Sequence, residues 1–322
     1  MSERIAVVLC NLGGPDSLES VRPFLFNLFS DPDIFRLPLA FITQRPFARL
    51  VARRRTPMAT RCYAAIGGKS PILEFTNAQA AALARGLGDG FDVHVCMRYW
   101  HPLTDEVVAM LKSKNYSRVI LLPLYPQYSI TTSGSAYNEF TRQCQKQHYH
   151  PAVTLVRQWY DQPDYQGAIV EMLHAEAQNF PDPDPRRIEL LFSAHGLPRK
   201  IVDRGDPYER QIRATYDALR AQLGWPHTTL CYQSRVGPLE WLRPYTDDVI
   251  REKAATGAKQ ILVYPIAFVS DHVETLYDID ILFHSYAAER GISLVRPESL
   301  NGSAKFTAAL AEAAMRCLAE EV

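Results

Sequence analysis

Short unbroken apolar runs rich in Val, Ile and Leu recur along the chain, each closed by a Gly/Pro turn and followed by a helical pattern. In the first half they are Ile5–Cys10 into NLGGP, Phe91–Arg98 into YWHP, and Arg118–Leu122 into PLYPQYS. The second half repeats the plan with Ile188–Phe192 into SAHGLP, Thr228–Tyr232 into QSRVGP, and Gln260–Val263 into YPIAFVSDH. Strands without polar alternation, separated by helices, predict parallel sheets covered on both faces. RVILLPLYPQYS and KQILVYPIAFVS share one rhythm of strand, proline, aromatic and Ser-bearing loop. The halves therefore read as two similar α/β lobes of the kind a duplication leaves. The expected division is 1–155, 156–302, and a last helix at 303–322 that packs back on the first lobe. PDPDPRR at 181–187 reads as a loop leading into the first strand of lobe two. Ser70-Pro71 predicts the cap and first position of a helix over Ile72–Leu87, which Gly88 ends.

Composition narrows the class without changing the fold. The chain has 322 residues, 47% hydrophobic and 22% charged, which suits a folded enzyme and argues against disorder. Lys plus Arg and Asp plus Glu stand at 35 each, so no global field points to nucleic acid. Cys10, Cys62, Cys96, Cys144, Cys231 and Cys317 have no CxxC spacing, and several sit in apolar runs. They read as buried free thiols of a reducing compartment. The short apolar run before NLGGP does not make a signal peptide, and no run approaches the ~18 residues of a membrane-spanning helix. The expected location is the cytoplasm.

In open parallel sheets ligands bind beyond the carboxyl ends of strands, and the unusual polar residues gather in those loops. His195, after ELLFSA and before Gly196, is placed to work as a base at neutral pH, or is simply satisfied by loop backbone. SDHVETLYDID at 270–280 puts Glu274 and Asp278 four apart on one helix face, with His272 beside them. Such a row suits a cation or proton path; acidic residues also favour a helix N-terminus for its dipole alone. Ser193 beside His195 lacks the GxSxG elbow of a hydrolase, and NLGGP lacks both nucleotide-loop patterns. Tyr99, Trp100, Tyr125, Tyr128, Trp241 and Tyr245, with Arg22, Arg98 and Arg235, would line a flat aromatic ligand bearing carboxylate tails. The segment 34–55, with Arg36, Arg45, Arg49 and Arg53–Arg55 among bulky apolar residues, suits a membrane interface, a hydrophobic ligand or its own core.

Longer segments in order carry a resemblance over nearly the whole chain. They are NLGGPDS (11–17), RRRTPMATRCYAAIGGKSPI (53–72), MRYWHPLTDEV (97–107) and LLPLYPQYSITTSGSA (121–136). The second half supplies FSAHGLP (192–198), DRGDPYERQI (203–212), YQSRVGPLEWLRPYTDD (232–248) and PIAFVSDHVETLYDID (265–280). Together they resemble the ferrochelatases. The resemblance implies two Rossmann-like lobes with parallel four-stranded sheets, a porphyrin in the cleft between them, and insertion of Fe2+ into protoporphyrin IX. It implies that His195 and Glu274 are catalytic and meet the substrate iron, with His272 and Asp278 as further iron ligands. Arg98, Tyr99, Tyr125, Trp241 and Ser193 are the porphyrin-binding candidates, and 34–55 is the lip that touches membrane. Iron is then a substrate, and no permanent metal is expected.

Two positions depart from relatives. Some bind a [2Fe–2S] cluster through one cysteine in the PQYS loop and three in a C-terminal extension. Here the loop position is Ile130, with only Cys317 near residue 322, so no cluster is expected. Elsewhere the acidic row continues one turn past Asp278, where this chain has Leu282. The NLGGP turn and PQYS loop are more like the protoporphyrin branch than the coproporphyrin III branch. A tetrapyrrole carrier would leave the His195, His272 and Glu274 group unexplained, and a cobalt or nickel chelatase is open because ligand types alone do not select Fe2+.

Overall fold

A computed structural model describes residues 4–35 and 37–319; Arg36 of the basic segment lies outside the described residues. Two compact units result, one formed by the chain up to Trp159 together with the part from Asn301 on, the other by Tyr160–Leu300.

The first unit holds a parallel sheet of β1 (Ile5–Asn11), β2 (Phe91–Met97), β3 (Arg118–Pro123) and β4 (Ala152–Leu155) in the order β2-β1-β3-β4. Its helices are α1 (Val21–Phe29), α2 (Ala40–Ala65), α3 (Ile72–Leu87), α4 (Thr104–Ser113) and α5 (Ser135–Lys146). A π-helical turn, Ile130–Gly134, opens α5. In the second unit α6 (Pro163–Ala177), α7 (Arg199–Val202), α8 (Tyr208–Leu223), α9 (Thr246–Ala255) and α10 (His284–Ala288) surround β5 (Ile188–His195), β6 (Thr228–Gln233), β7 (Gln260–Tyr264) and β8 (Ser293–Val295). That sheet runs β6-β5-β7-β8, the same order as the first. A π-helix over Glu274–Phe283 leads into α10. The last helix, α11 (Ala304–Ala319), belongs to the first unit, where the Phe306 ring lies 5.8 Å from Trp159.

The apolar runs become strands, and those at the centre of each sheet, β1, β3, β5 and β7, are almost wholly covered. Ala6 to Leu9 and Leu190 to Phe192 are fully buried. Two strands escape a reading by apolar runs: β4 and β8 are edge strands of four and three residues, partly exposed, and their sequences carry too little pattern. At α3, Pro71 takes the cap position and the Ser70 hydroxyl accepts from the Ile72 N–H at 3.4 Å, one residue from the expected arrangement. NLGGP serves close packing: a Cβ on Gly14 would lie 2.4 Å from the Ser70 Cβ, and Gly13 sits at φ +82° under Trp100.

Candidate active site

In each sheet the chain leaves the first strand on one side for its second and returns on the other side for its third. That reversal creates the crevice at which such sheets bind ligands. In the second unit the crevice lies between β5 and β7. His195 is the last residue of β5, Gln233 ends β6, and the loop after β7 delivers Phe268, His272 and then Glu274.

His195 is fixed through its backbone and ring. The Gly196 N–H donates to the Gln233 carbonyl at 2.8 Å, and the Tyr208 phenol from α8 donates to the His195 carbonyl at 2.9 Å. A side chain at Gly196 would put a Cβ 3.0 Å from that Gln233 carbonyl and 3.3 Å from the Trp241 ring, so the turn requires glycine. The His195 Nδ1–H donates to the Gly196 carbonyl at 2.6 Å. In the neutral ring this leaves the lone pair on Nε2, which faces the Glu274 carboxylate at 3.7 Å. The same oxygen, Oε2, accepts from the Ser234 hydroxyl at 2.7 Å. Ser234 stands at φ +66°, turning the chain sharply as β6 ends. The Gln233 amide donates to the Glu274 backbone carbonyl at 3.3 Å.

His272 is buried, and its Nδ1–H donates to the Ser270 carbonyl at 3.0 Å, so its neutral ring also carries the lone pair on Nε2. Phe268 stands edge-on between the imidazoles, 4.4 Å from the His272 ring and 6.3 Å from His195. Burial pushes the His272 pKa down, favouring the neutral form. For Glu274 burial acts to raise the pKa, but His195, His272 and the Ser234 hydroxyl outweigh it and hold the carboxyl below its ordinary range. Asp278 has no such support. Burial, and then the Glu274 charge, push it up to about 7. Two carboxyl groups one turn apart thus hold protons very differently near neutral pH, the arrangement that separates a fixed charge from a proton carrier. Among the described residues no three or more His, Cys, Asp or Glu side chains converge into a ready metal cage.

The porphyrin candidates divide. Trp241 packs 6.4 Å from the His195 ring, with its indole N–H donating to the Val236 carbonyl at 3.1 Å. Ser193 is fully buried, and its hydroxyl donates to Gln233 Oε1 at 2.7 Å, with Thr246 2.8 Å away, so it supports Gln233. In the first unit Tyr99 is buried as well. It is 1% exposed, and its phenol donates to Asp31 at 2.6 Å. Arg98 reaches Asp31 at 3.0 Å and donates from Nε to Ser135 at 2.8 Å, a buried charge paired and hydrogen-bonded as burial demands. Tyr125 is half-buried, and burial raises its phenol well above the ordinary range. Sequence reasoning missed Phe268, Gln233, Ser234 and Asp31. The first three sit beside recognised residues, whereas Asp31 in SDPD reads only as a helix end.

The paired sheets define a chelatase-type fold. SirB from Bacillus subtilis, solved with Fe3+, superimposes with a TM-score of 0.59 over 99% of this chain and 97% of its own, at 9% sequence identity. The sirohydrochlorin chelatase SirB from B. subtilis subspecies spizizenii, in complex with cobalt, gives 0.57 over 98% and 95%, at 8% identity. The sequence then decides the family: the ferrochelatase family model matches residues 4–318, and the chain belongs to that family. The ferrochelatase of Trichormus variabilis is 46% identical over 90% of this chain and 76% of its own length. That of a Synechocystis species is 44% identical over 98% of this chain and 83% of its own.

Proposed function

We infer that the chain is a ferrochelatase, a lyase-type chelatase that inserts Fe2+ into protoporphyrin IX to form protohaem and release two protons, with His195 and Glu274 carrying the reaction. The observation that carries the residue assignment is the His195 Nε2 lone pair aimed at the Glu274 carboxylate, 3.7 Å away, at the sheet's crevice.

A planar porphyrin hides its nitrogen lone pairs and holds two N–H protons. Insertion therefore needs a bent ring, a base for the protons, and groups that replace water around Fe2+. His195 Nε2 accepts a pyrrole proton, and the Glu274 charge stabilises the imidazolium so formed. Glu274 and the neutral His272 offer an oxygen and a nitrogen to iron in transit, a donor pair that suits a borderline metal. Asp278, poised near neutral pH, takes up and passes on a proton. Binding energy on the ring face, to which Trp241 contributes beside His195, supplies the distortion.

No iron–sulfur cluster belongs to this reading: Ile130 occupies the loop position, and Cys10, Cys96, Cys144 and Cys231 are buried. No helix among the described residues is long and apolar enough to cross a membrane. Peripheral contact through α2 is favoured instead by Leu39, Phe41 and Ile42, exposed at 66%, 84% and 62%. Anaerobic insertion assays with protoporphyrin IX and coproporphyrin III test the assignment. Turnover with protoporphyrin at least about tenfold more efficient, by a protein free of acid-labile sulfide, is expected; one extra pair of carboxylates left unmatched is worth that much. Equal efficiency, or preference for coproporphyrin III, would overturn the substrate, and bound sulfide would overturn the absence of a cluster.

A further inference from the structure

π-Helices are rare and mostly single turns, so ten residues in that form need an external cause. The turn opens at His272, whose carbonyl accepts from the N–H groups of Thr275 and Leu276, and closes where the His284 N–H reaches the Ile279 carbonyl, five residues back. Arg296, just beyond β8, lies along this segment with its side chain 3% exposed. One terminal nitrogen donates to Asp271 at 2.7 Å. The other two guanidinium nitrogens grip Asp280 as a fork, at 2.7 and 2.6 Å. Asp271 is itself anchored, accepting from the Ser299 hydroxyl at 2.9 Å, the Ser299 N–H at 3.2 Å and the Thr275 hydroxyl at 3.1 Å.

The two carboxylates are nine residues apart. Asp271 precedes the helix and holds the guanidinium from outside it, whereas Asp280 lies six residues into the helix from Glu274. The wider π ladder, bonding i to i+5, takes in nearly one more residue per turn, so over those six residues Asp280 stands about 120° back from where an α-helix would carry it, at about 80° against 100° per residue. With Asp271 holding one side of the guanidinium, the fork on its other side meets Asp280 in the π form.

We propose that Arg296 is a positioning residue: by clamping Asp271 and Asp280 together it selects the π form of residues 274–283 and so fixes where Asp278 stands relative to Glu274. Relaxation to α geometry would turn Asp278 by roughly 80° about the axis relative to Glu274, at 100° against about 80° per residue over four residues. The geometry of the clamp stands alone; its effect on catalysis rests on the assignment of Glu274 to the reaction.

Asp280→Asn tests this with least risk to folding, since its side chain is 35% exposed and the Arg296–Asp271 pair survives. Expected are a cooperative thermal transition close to wild type, protoporphyrin binding by fluorescence within about twofold, and kcat for Fe2+ insertion lowered about 10- to 100-fold, as for groups that orient metal-site ligands. Amide hydrogen exchange should quicken across 275–283 while β7 and α9 keep their protection. Asp280→Glu should recover most of the rate, and Arg296→Lys should fail like Asp280→Asn, because an ammonium cannot fork one carboxylate and hold another. Unchanged kcat and exchange in Asp280→Asn would overturn the proposal, as would a loss that merely tracks lower stability and uniformly faster exchange in the second unit. Glu274→Gln run beside them separates the two ideas: full activity there removes the catalytic assignment, while the exchange data still judge the clamp.

Discussion

At the scale of single residues the site works by contrast between like groups. The Glu274 carboxyl, beside His195 and His272 and accepting from Ser234, lies below its ordinary range, whereas Asp278, one turn on, is pushed up to about 7 because burial and the Glu274 charge oppose its ionisation. The consequence for stability has a definite sign. The folded carboxyl binds its proton more tightly than the ordinary value of 3.8, so folding stability falls as pH rises from about 4 through about 7. Asp278→Asn, neutral throughout, removes that fall. Denaturant unfolding should show the variant gaining on wild type as pH rises from 5.5 to 8, and the kcat–pH limb near 7 should vanish. A stability difference independent of pH would contradict the assignment. His195 was legible from its place at a strand end, and Glu274 and Asp278 from their spacing. Ser234 was not, because the serine of QSR says nothing of a left-handed turn that lays its hydroxyl on a carboxylate.

Among the elements, β1, β2, β3, β5, β6 and β7 could be read because parallel strands leave apolar runs in the sequence, and Ile72–Leu87 because cap and glycine bracket it. The π-helix could not be. ETLYDIDILF has the spacing of any amphipathic helix, and what widens it is Arg296, contributed from 13 residues beyond its end. Helix α2 illustrates a different limit: its sequence fits a core or a membrane face equally, and only the exposure of Phe41 and Ile42 favours the second. With Phe41 84% exposed and arginines along the same helix, the protein should bind anionic vesicles at low salt and leave them as salt rises. Burying one Phe is worth roughly 1.5–3 kcal/mol, so Phe41→Asp should weaken co-sedimentation about tenfold or more. Equal sedimentation of variant and wild type would remove α2 from the contact.

For the whole molecule, the repeated rhythm of RVILLPLYPQYS and KQILVYPIAFVS has its counterpart in two sheets of identical order, each followed after its third strand by a π-helical segment. Only the second unit arms that segment with acids, Glu274 and Asp278, where the first has Ile130 to Gly134. The same framework thus carries the proposed base and metal path in one unit and a buried Arg98–Asp31–Tyr99 cluster in the other. The division of labour between Ser193 and Tyr99, both inward-facing supports, was hidden in the sequence because a motif marks a position without marking which way its side chain turns. The central claim, that His195 takes protons from a bound porphyrin while Glu274 supports it, is tested most directly by single-turnover insertion. His195→Ala and wild type, each preloaded with protoporphyrin IX, are mixed anaerobically with Fe2+ and the loss of porphyrin fluorescence is followed. The prediction is unchanged porphyrin loading with an insertion rate at least about 100-fold slower in the variant, the scale of a lost general base. An insertion rate within a few-fold of wild type would contradict the account.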